Sequence, residues 1–309
     1  MRTLVIYVKD FLREDFEWPK YAAIIGFIAI SITINFSLNF ETNYINIKEV
    51  PDRYILNFLF YSFAYFGALA LVRITTKERA KLSKRFFLLS ITAIVIMAID
   101  GSFRGTYDFA KLLIETRDKW FVGRLMSELK SFILVVLPLW VIWKFNQNGN
   151  FYGLTVKNVN IKPYLWLIAL VVPIVLAAGQ LDSFLEQYPM YTHTPFTGIE
   201  GWPDFVNAAI YEMSYGIAFL PVELLFRGFL VIGLGRLIGK EAVLPMVVAY
   251  VFLHFEKPLG EAISSAFGGY LLGIFALRTN NIWGGVIIHT GLAWLMELSA
   301  WLMKYWEAE

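Results

Sequence analysis

The sequence contains no cysteine, only three histidines and comparatively few charged residues. Without cysteine, the 309-residue chain has no disulfides, no thiolate metal ligands and no cysteine nucleophile. Asp, Glu, Lys and Arg make up 17% of the residues, against about 25% in an average soluble domain. The formal net charge of +2 is small, so no nucleic-acid partner is indicated.

Apolar residues account for 58% of the chain and are concentrated in long blocks. A helix needs about 20 such residues to cross the hydrocarbon core of a bilayer. The blocks lie near 21–40, 54–74, 86–100, 129–145, 163–181, 205–236, 241–256, 260–278 and 282–303. Because two of them, 86–100 and 241–256, are short, we predict an all-α, polytopic membrane helical bundle with about eight or nine transmembrane helices.

The distribution of basic residues predicts the orientation. Segment 73–85 carries six Lys or Arg residues, whereas loop 182–203 carries none, which favours a cytoplasmic amino terminus. Segment 101–130 is also basic and breaks this pattern, so either it lies on the membrane surface or one span is miscounted. Residues 1–20 carry charges of both signs and no small-residue cleavage site, which predicts no cleaved signal peptide. We therefore expect an integral protein of a prokaryotic cytoplasmic membrane.

The polar content divides the chain into two regions of one integral domain. Residues 1–150 are predicted to form membrane helices without a recognised motif, and residues 151–309 carry the polar motifs, all within 205–298. In the first region, Asn35 and Asn57 lie within predicted spans, and the sequence names no partner for either.

A glutamate and an arginine stand inside the apolar stretch PVELLFRGFL, 221–230. Glu223 and Arg227 are four residues apart, so they share one face of a helix. Ionised groups are expensive in a bilayer, and mutual neutralisation is the least costly way to hold two of them. Such an ion pair needs no catalytic role, so on its own it supports a structural and a functional interpretation equally.

Two of the three histidines also lie in predicted spans. His254 follows Tyr250 by four residues, and His289 begins the last apolar block, whereas His193 lies in a loop and is predicted to be at the surface. A lone histidine in an apolar helix is more often a hydrogen-bonded structural residue. Two histidines together with a glutamate are typical of sites where water is activated and an oxyanion is stabilised. This cluster suits peptide hydrolysis and, less specifically, proton transfer.

The stretches PVELLFRGFL, YVFLHF and GGYLLGIFALRTNNIWGGVIIH together resemble the CPBP family of intramembrane proteases. This family includes the type II CAAX prenyl endopeptidases and bacteriocin-processing and immunity homologues. Glu223 and Arg227 correspond to the second glutamate and the arginine of its first motif. Tyr250 and His254 correspond to the second motif, and His289 to the histidine of the third.

The resemblance implies a glutamate-type intramembrane endopeptidase that acts on a membrane-associated peptide or protein. It implies Glu223, Arg227, His254 and His289 as the catalytic residues, with no cofactor and no metal. We predict that the glutamate and the two histidines converge in one cavity.

Two positions depart from the family pattern. Val222 stands where the first glutamate is expected, and Ala293 stands where a final asparagine is expected. The resemblance implies that this glutamate helps the motif-two histidine to activate water, a general-base contribution of about 10²–10⁴ in rate. It implies that the asparagine holds the oxyanion, a contribution of about 10²–10³. The sequence leaves open an active protease, an impaired one, and a non-catalytic binding, regulatory or immunity homologue on the same scaffold.

No other carboxylate replaces the missing glutamate convincingly. Glu212 lies about 15 Å from position 222 along the same predicted helix. Glu297 lies about 12 Å beyond His289 along another helix. Glu256 lies near His254 but at the membrane edge. Two histidines and a carboxylate could also bind zinc, although the spacing is not HExxH. Proton-coupled transport would use similar residues, but the sequence lacks the internal repeats typical of transporters.

Overall fold

A computed structural model describes residues 2–77, 79–146, 149–157, 159–192 and 197–306, and these residues form helices and connecting loops with no strand among them. The α-helices are α1 (Arg2–Asp15), α2 (Trp18–Leu38), α3 (Asp52–Thr75), α4 (Lys84–Ser102), α5 (Thr106–Leu113), α6 (Lys119–Leu129), α7 (Leu137–Asn146), α8 (Lys162–Ala178), α9 (Asp182–Gln187), α10 (Asp204–Ile217), α11 (Phe219–Glu223), α12 (Leu234–Ile238), α13 (Val243–Phe252), α14 (Leu259–Thr279) and α15 (Trp283–Trp306). The segments Glu41–Asn46, Phe132–Val136 and Leu224–Gly233 are π-helical, and Gly239–Ala242 is a 3₁₀ turn.

Within these residues, seven helical stretches are long and apolar enough to cross a membrane. One of them, Asp204–Phe252, runs for 49 residues and covers the predicted block 205–236 and most of the block 241–256. Gly239, with φ +60°, lies between these two blocks, in a backbone region that favours glycine. Helix α8 is apolar but shorter than the seven. The predicted polytopic helical membrane protein is confirmed, and the nine predicted blocks correspond to the seven stretches, α8 and the second half of Asp204–Phe252.

The chain forms two compact units, each built from three segments. The first unit contains Met1–Ser102, Pro138–Val159 and Glu223–Gly285, and the second contains Phe103–Leu137, Asn160–Val222 and Val286–Glu309. The division predicted near residue 150 concerns where the motifs lie, and it stays a prediction.

Helix α13 is the centre of the first unit. Its sequence, VLPMVVAYVF, is apolar on every side, and every one of its ten residues is buried. It packs against α3 and α14, while α3 also packs against α2 and α4. An apolar helix buried on all faces fixes the position of whatever follows its carboxyl end, and the residue two positions after that end is His254.

Helices α10 and α15 pack closely in the second unit. The Thr290 hydroxyl donates to the carbonyl of Gly216 at 2.9 Å, and the Trp294 indole donates to the carbonyl of Glu212 at 2.9 Å. Residue numbers therefore rise along one helix as they fall along the other, so the pair is antiparallel. A Cβ on Gly216 would stand 2.6 Å from the Trp294 ring, so a glycine is needed for this approach.

Candidate active site

The motif-one pair is fully enclosed within the first unit. Arg227 Nη1 lies 2.9 Å from Glu223 Oε1, and neither side chain has any exposed surface. The predicted ion pair on one helix face is confirmed. Burying both charges costs solvation free energy, which their attraction offsets only while both partners are present. The Glu223 carboxylate is therefore held by the arginine, and Arg227 is the cation that keeps it in place.

Gly285 completes the enclosure of the Glu223 carboxylate. A Cβ at this position would overlap the carboxylate oxygen Oε2 and would stand 2.8 Å from Cδ. Any side chain at 285 must therefore displace the buried ion pair. Sequence reasoning missed this residue, because a glycine in an apolar helix carries no sign of which charged group lies against it.

A Gly285→Ala variant is expected to lose about 1–3 kcal/mol of unfolding free energy, since overpacking a rigid interior forces its neighbours to shift. Thermal or denaturant unfolding in mild detergent measures the loss. Gly268→Ala is the matched control, because that helical glycine has open space around its Cβ position. The control is expected to be neutral or slightly stabilising. Equal stability of the two variants would show that position 285 tolerates a methyl group.

Tyr250 connects the ion pair to the motif-two histidine. The guanidinium carbon of Arg227 lies 4.0 Å from the centroid of the Tyr250 ring, within the range of a cation–π contact. The edge-to-face rings of Tyr250 and His254 have centroids 4.5 Å apart. Glu223, Arg227, Tyr250 and His254 thus form one continuous series of contacts.

The protonation of the His254 ring follows from its bond to the backbone. Nδ1 lies 2.8 Å from the carbonyl oxygen of Tyr250, which can only accept a hydrogen bond. Nδ1 therefore carries the proton, and in the neutral ring the lone pair lies on Nε2. The residue is buried, with 9% of its surface exposed. This arrangement gives His254 a defined proton-accepting atom.

Two glycines let neighbouring segments approach the motif residues. A Cβ on Gly269 would stand 2.9 Å from Cδ1 of Tyr250, so α14 leaves room for the tyrosine ring. A Cβ on Gly228, one residue after Arg227, would stand 2.8 Å from the Tyr152 carbonyl.

Tyr152 lies in the connection before α8, outside the membrane spans, and burial raises the pKa of its hydroxyl to about 12. That hydroxyl stays protonated and neutral where it packs beside the motif-one helix.

The third motif belongs to the second unit. The rings of His289 and Phe219 have centroids 4.2 Å apart, so α11 places an aromatic face against the histidine. Ala293, one turn further along α15, has no exposed surface and is buried with Phe121, Tyr211 and Tyr215. The position where a hydrogen-bond donor was expected is thus a methyl group enclosed by aromatic rings. The predicted convergence of His289 with Glu223 and His254 stays a prediction.

Residues 208–295 match the family model described as type II CAAX prenyl endopeptidase Rce1-like. All three motif segments described above fall inside the matched range. These residues are therefore similar to the CPBP family. The match supports a CAAX-type intramembrane protease scaffold for this part of the chain. No curated protein and no solved structure matches the chain.

Against the CPBP motifs, the structure shows what occupies the two altered positions. Val222 is half-buried and immediately precedes the buried Glu223. Its side chain can neither accept a proton nor donate a hydrogen bond. Ala293 lies on the same face of α15 as His289, one turn away. Relative to the CPBP pattern, the two positions where a glutamate and an asparagine are expected thus carry apolar side chains.

The second unit also brings together two carboxylates that are distant in sequence. Both carboxylate oxygens of Glu297 accept hydrogen bonds from the Met190 backbone amide, at 2.8 and 2.9 Å. The side chain of Glu212 lies close enough to that of Glu297 for the two carboxyl groups to interact. The sequence analysis placed each glutamate only along its own helix, so it could not show that the two are close. Their contact depends on the antiparallel packing of α10 and α15. Glu256, in contrast, is exposed and accepts a hydrogen bond from Asn46.

A cavity of about 530 Å³ opens beside these residues in the second unit. It is lined by Tyr107, Trp120, Phe121, Arg124, Met190, Tyr191, Thr192, Thr197 and Tyr211. Arg124 donates to the Tyr211 hydroxyl at 2.7 Å and pairs with Glu128 at 3.3 Å.

His193, predicted to be at the surface, lies outside the described residues. In the described part of the chain, no three His, Cys, Asp or Glu side chains are grouped as a metal ion would require.

Proposed function

We propose that this protein is a CPBP-type intramembrane endopeptidase that hydrolyses a peptide bond of a membrane-associated protein or peptide, slowly because the motif-one glutamate is absent. The observation that carries the proposal is the hydrogen bond from His254 Nδ1 to the Tyr250 carbonyl. It leaves Nε2 as a proton acceptor of fixed orientation, as a general base requires.

In the proposed reaction, His254 Nε2 takes a proton from water while the water oxygen attacks the scissile carbonyl carbon. The proton then passes to the departing amine as the carbon–nitrogen bond breaks. Glu223 does not serve as the base, because Arg227 neutralises it in a fully buried pair. Arg227 and Glu223 instead hold Tyr250, and through it the imidazole. The role of His289 as an oxyanion donor is carried over from its motif position.

We also propose that the amino terminus faces the cytoplasm of a prokaryotic cell. Segment 73–85 carries six basic residues and loop 182–203 carries none. This asymmetry supports the proposed orientation. The scissile peptide bond of the substrate would lie at the depth of His254, within reach of a peptide anchored in the same bilayer.

Cleavage of a membrane-anchored peptide library by the purified protein in liposomes tests the proposal. A His254→Ala variant is expected to cleave about 10²-fold more slowly than the wild type, the lower end of a general-base contribution. Glu256→Gln serves as the control, since it changes an exposed neighbour and leaves the imidazole intact. Equal inertness of the wild type and His254→Ala would contradict the proposed activity.

The second candidate function is a non-catalytic homologue that binds a peptide, a lipidated protein or a partner subunit. The enclosure of Ala293 by Phe121, Tyr211 and Tyr215 favours it, because no donor can act there without rearrangement. Under this alternative, a library peptide would still be retained by the protein but would remain uncut.

A further inference from the structure

Asn35 is a buried amide within membrane helix α2, with 4% of its surface exposed. Its Nδ2 donates to the backbone carbonyl of Phe255 at 3.0 Å, and its Oδ1 accepts from the backbone amide of Glu41 at 3.0 Å. Asn35 and Phe255 are 220 residues apart in sequence. One side chain therefore ties helix α2 and the segment that follows it to the turn beside His254.

The turn that Asn35 contacts is the end of helix α13. Regular helix stops at Phe252, and the chain continues through His254, whose amide bonds to the Val251 carbonyl at 2.9 Å. Carbonyls at the end of a helix lack partners within that helix, and in a membrane each needs one. Asn35 supplies the partner for Phe255, the residue immediately after the histidine.

Three further contacts hold the same turn. The Phe255 ring stacks on Phe252, with centroids 4.6 Å apart, and lies 6.0 Å from Phe60 of α3. Asn46, in the π-helical segment after α2, donates to the Glu256 carboxylate. The ring of His254 is fixed by Tyr250 of its own helix, whereas its backbone turn is fixed by residues from α2 and the segment after it.

We propose that Asn35 is a positioning residue: it holds the backbone turn that carries His254, and through this turn it maintains the orientation in which the Tyr250-bonded imidazole is presented. Its consequence for catalysis rests on the proposed endopeptidase function, but the orientation itself is measurable without any cleavage. Loss of the amide would free the Phe255 carbonyl and loosen the turn while leaving Tyr250 and the motif-one ion pair in place.

Hydrogen–deuterium exchange at the imidazole C2 carbon, followed by mass spectrometry, reports on each histidine separately. The test compares the wild type with Asn35→Leu and Asn35→Ala in detergent. Exchange at His254 is expected to be at least about twofold faster in both variants, the low end of what one lost hydrogen bond changes in an equilibrium. Exchange at His289 is expected to be unchanged.

Asn57→Leu is the matched control. Asn57 is also a buried amide in a membrane helix of the first unit, and it donates to the Ser102 hydroxyl at 2.9 Å. This control is expected to leave His254 exchange at the wild-type rate. Equal His254 exchange in the Asn35 and Asn57 variants would overturn the proposal, and so would failure of both Asn35 variants to fold while Asn57→Leu folds.

If the wild type cleaves peptides, Asn35→Leu is also expected to lower kcat while leaving KM nearly unchanged, since the residue is not assigned to substrate binding. Faster His254 exchange in the Asn35 variants, together with a wild type that cleaves nothing, would support the positioning role and refute the proposed function. The two inferences therefore fail separately.

Discussion

An Arg227→Leu variant is expected to lose about 3–5 kcal/mol of unfolding free energy, the usual cost of removing one partner from a buried ion pair. The guanidinium is the cation that neutralises Glu223 in a site without exposed surface, and it also lies over the Tyr250 ring. Leucine replaces neither contact. Denaturant or thermal unfolding in mild detergent measures the loss, with tryptophan fluorescence as the signal.

Arg278→Leu is the control for that experiment. Arg278 pairs with Glu14 at 2.8 Å, but their side chains are 26% and 53% exposed, so its loss should cost about 1 kcal/mol or less. A Glu223→Leu/Arg227→Leu double variant is expected to recover much of the stability, because a buried pair replaced as a whole by apolar groups is often nearly neutral. If Arg227→Leu is no less stable than Arg278→Leu, the buried pair does not hold the motif together.

The relations that the sequence predicted correctly are local ones. Apolar blocks of about 20 residues are long enough to become membrane helices wherever they stand in the chain. Glu223 and Arg227, and likewise Tyr250 and His254, meet because residues four apart on a helix are neighbours. These relations were sufficient for the helical membrane fold and for the first two motifs.

The contacts that the sequence did not reveal join residues from different helices. Gly285 against Glu223, and Asn35 against the turn after α13, depend on which helix packs beside which. Glu212 and Glu297 illustrate the same point, since distances measured along single helices cannot show that two helices are antiparallel neighbours. A single sequence contains the periodicity of each helix but not the pairing of their faces.

A Val222→Glu variant is expected to raise the rate of peptide cleavage by about 10²–10⁴, the contribution of a general base. The substitution restores the carboxylate that the family pattern places there. Residue 222 is half-buried, whereas Glu223 has no exposed surface, so a carboxylate at 222 would be less enclosed than that of Glu223. Initial rates with the membrane-anchored peptide library measure the change.

Val222→Gln separates the chemistry from the change in shape. Glutamine has nearly the same size as glutamate and cannot act as a base at neutral pH, so this variant should cleave no faster than the wild type. A Val222→Glu/His254→Ala double variant should lose most of the gain, because the resemblance implies that the motif-one glutamate assists the motif-two histidine. A gain that survives removal of His254 would assign proton transfer to the carboxylate alone. An equal gain from glutamine would instead make position 222 a packing position, and the valine there would no longer explain slow cleavage.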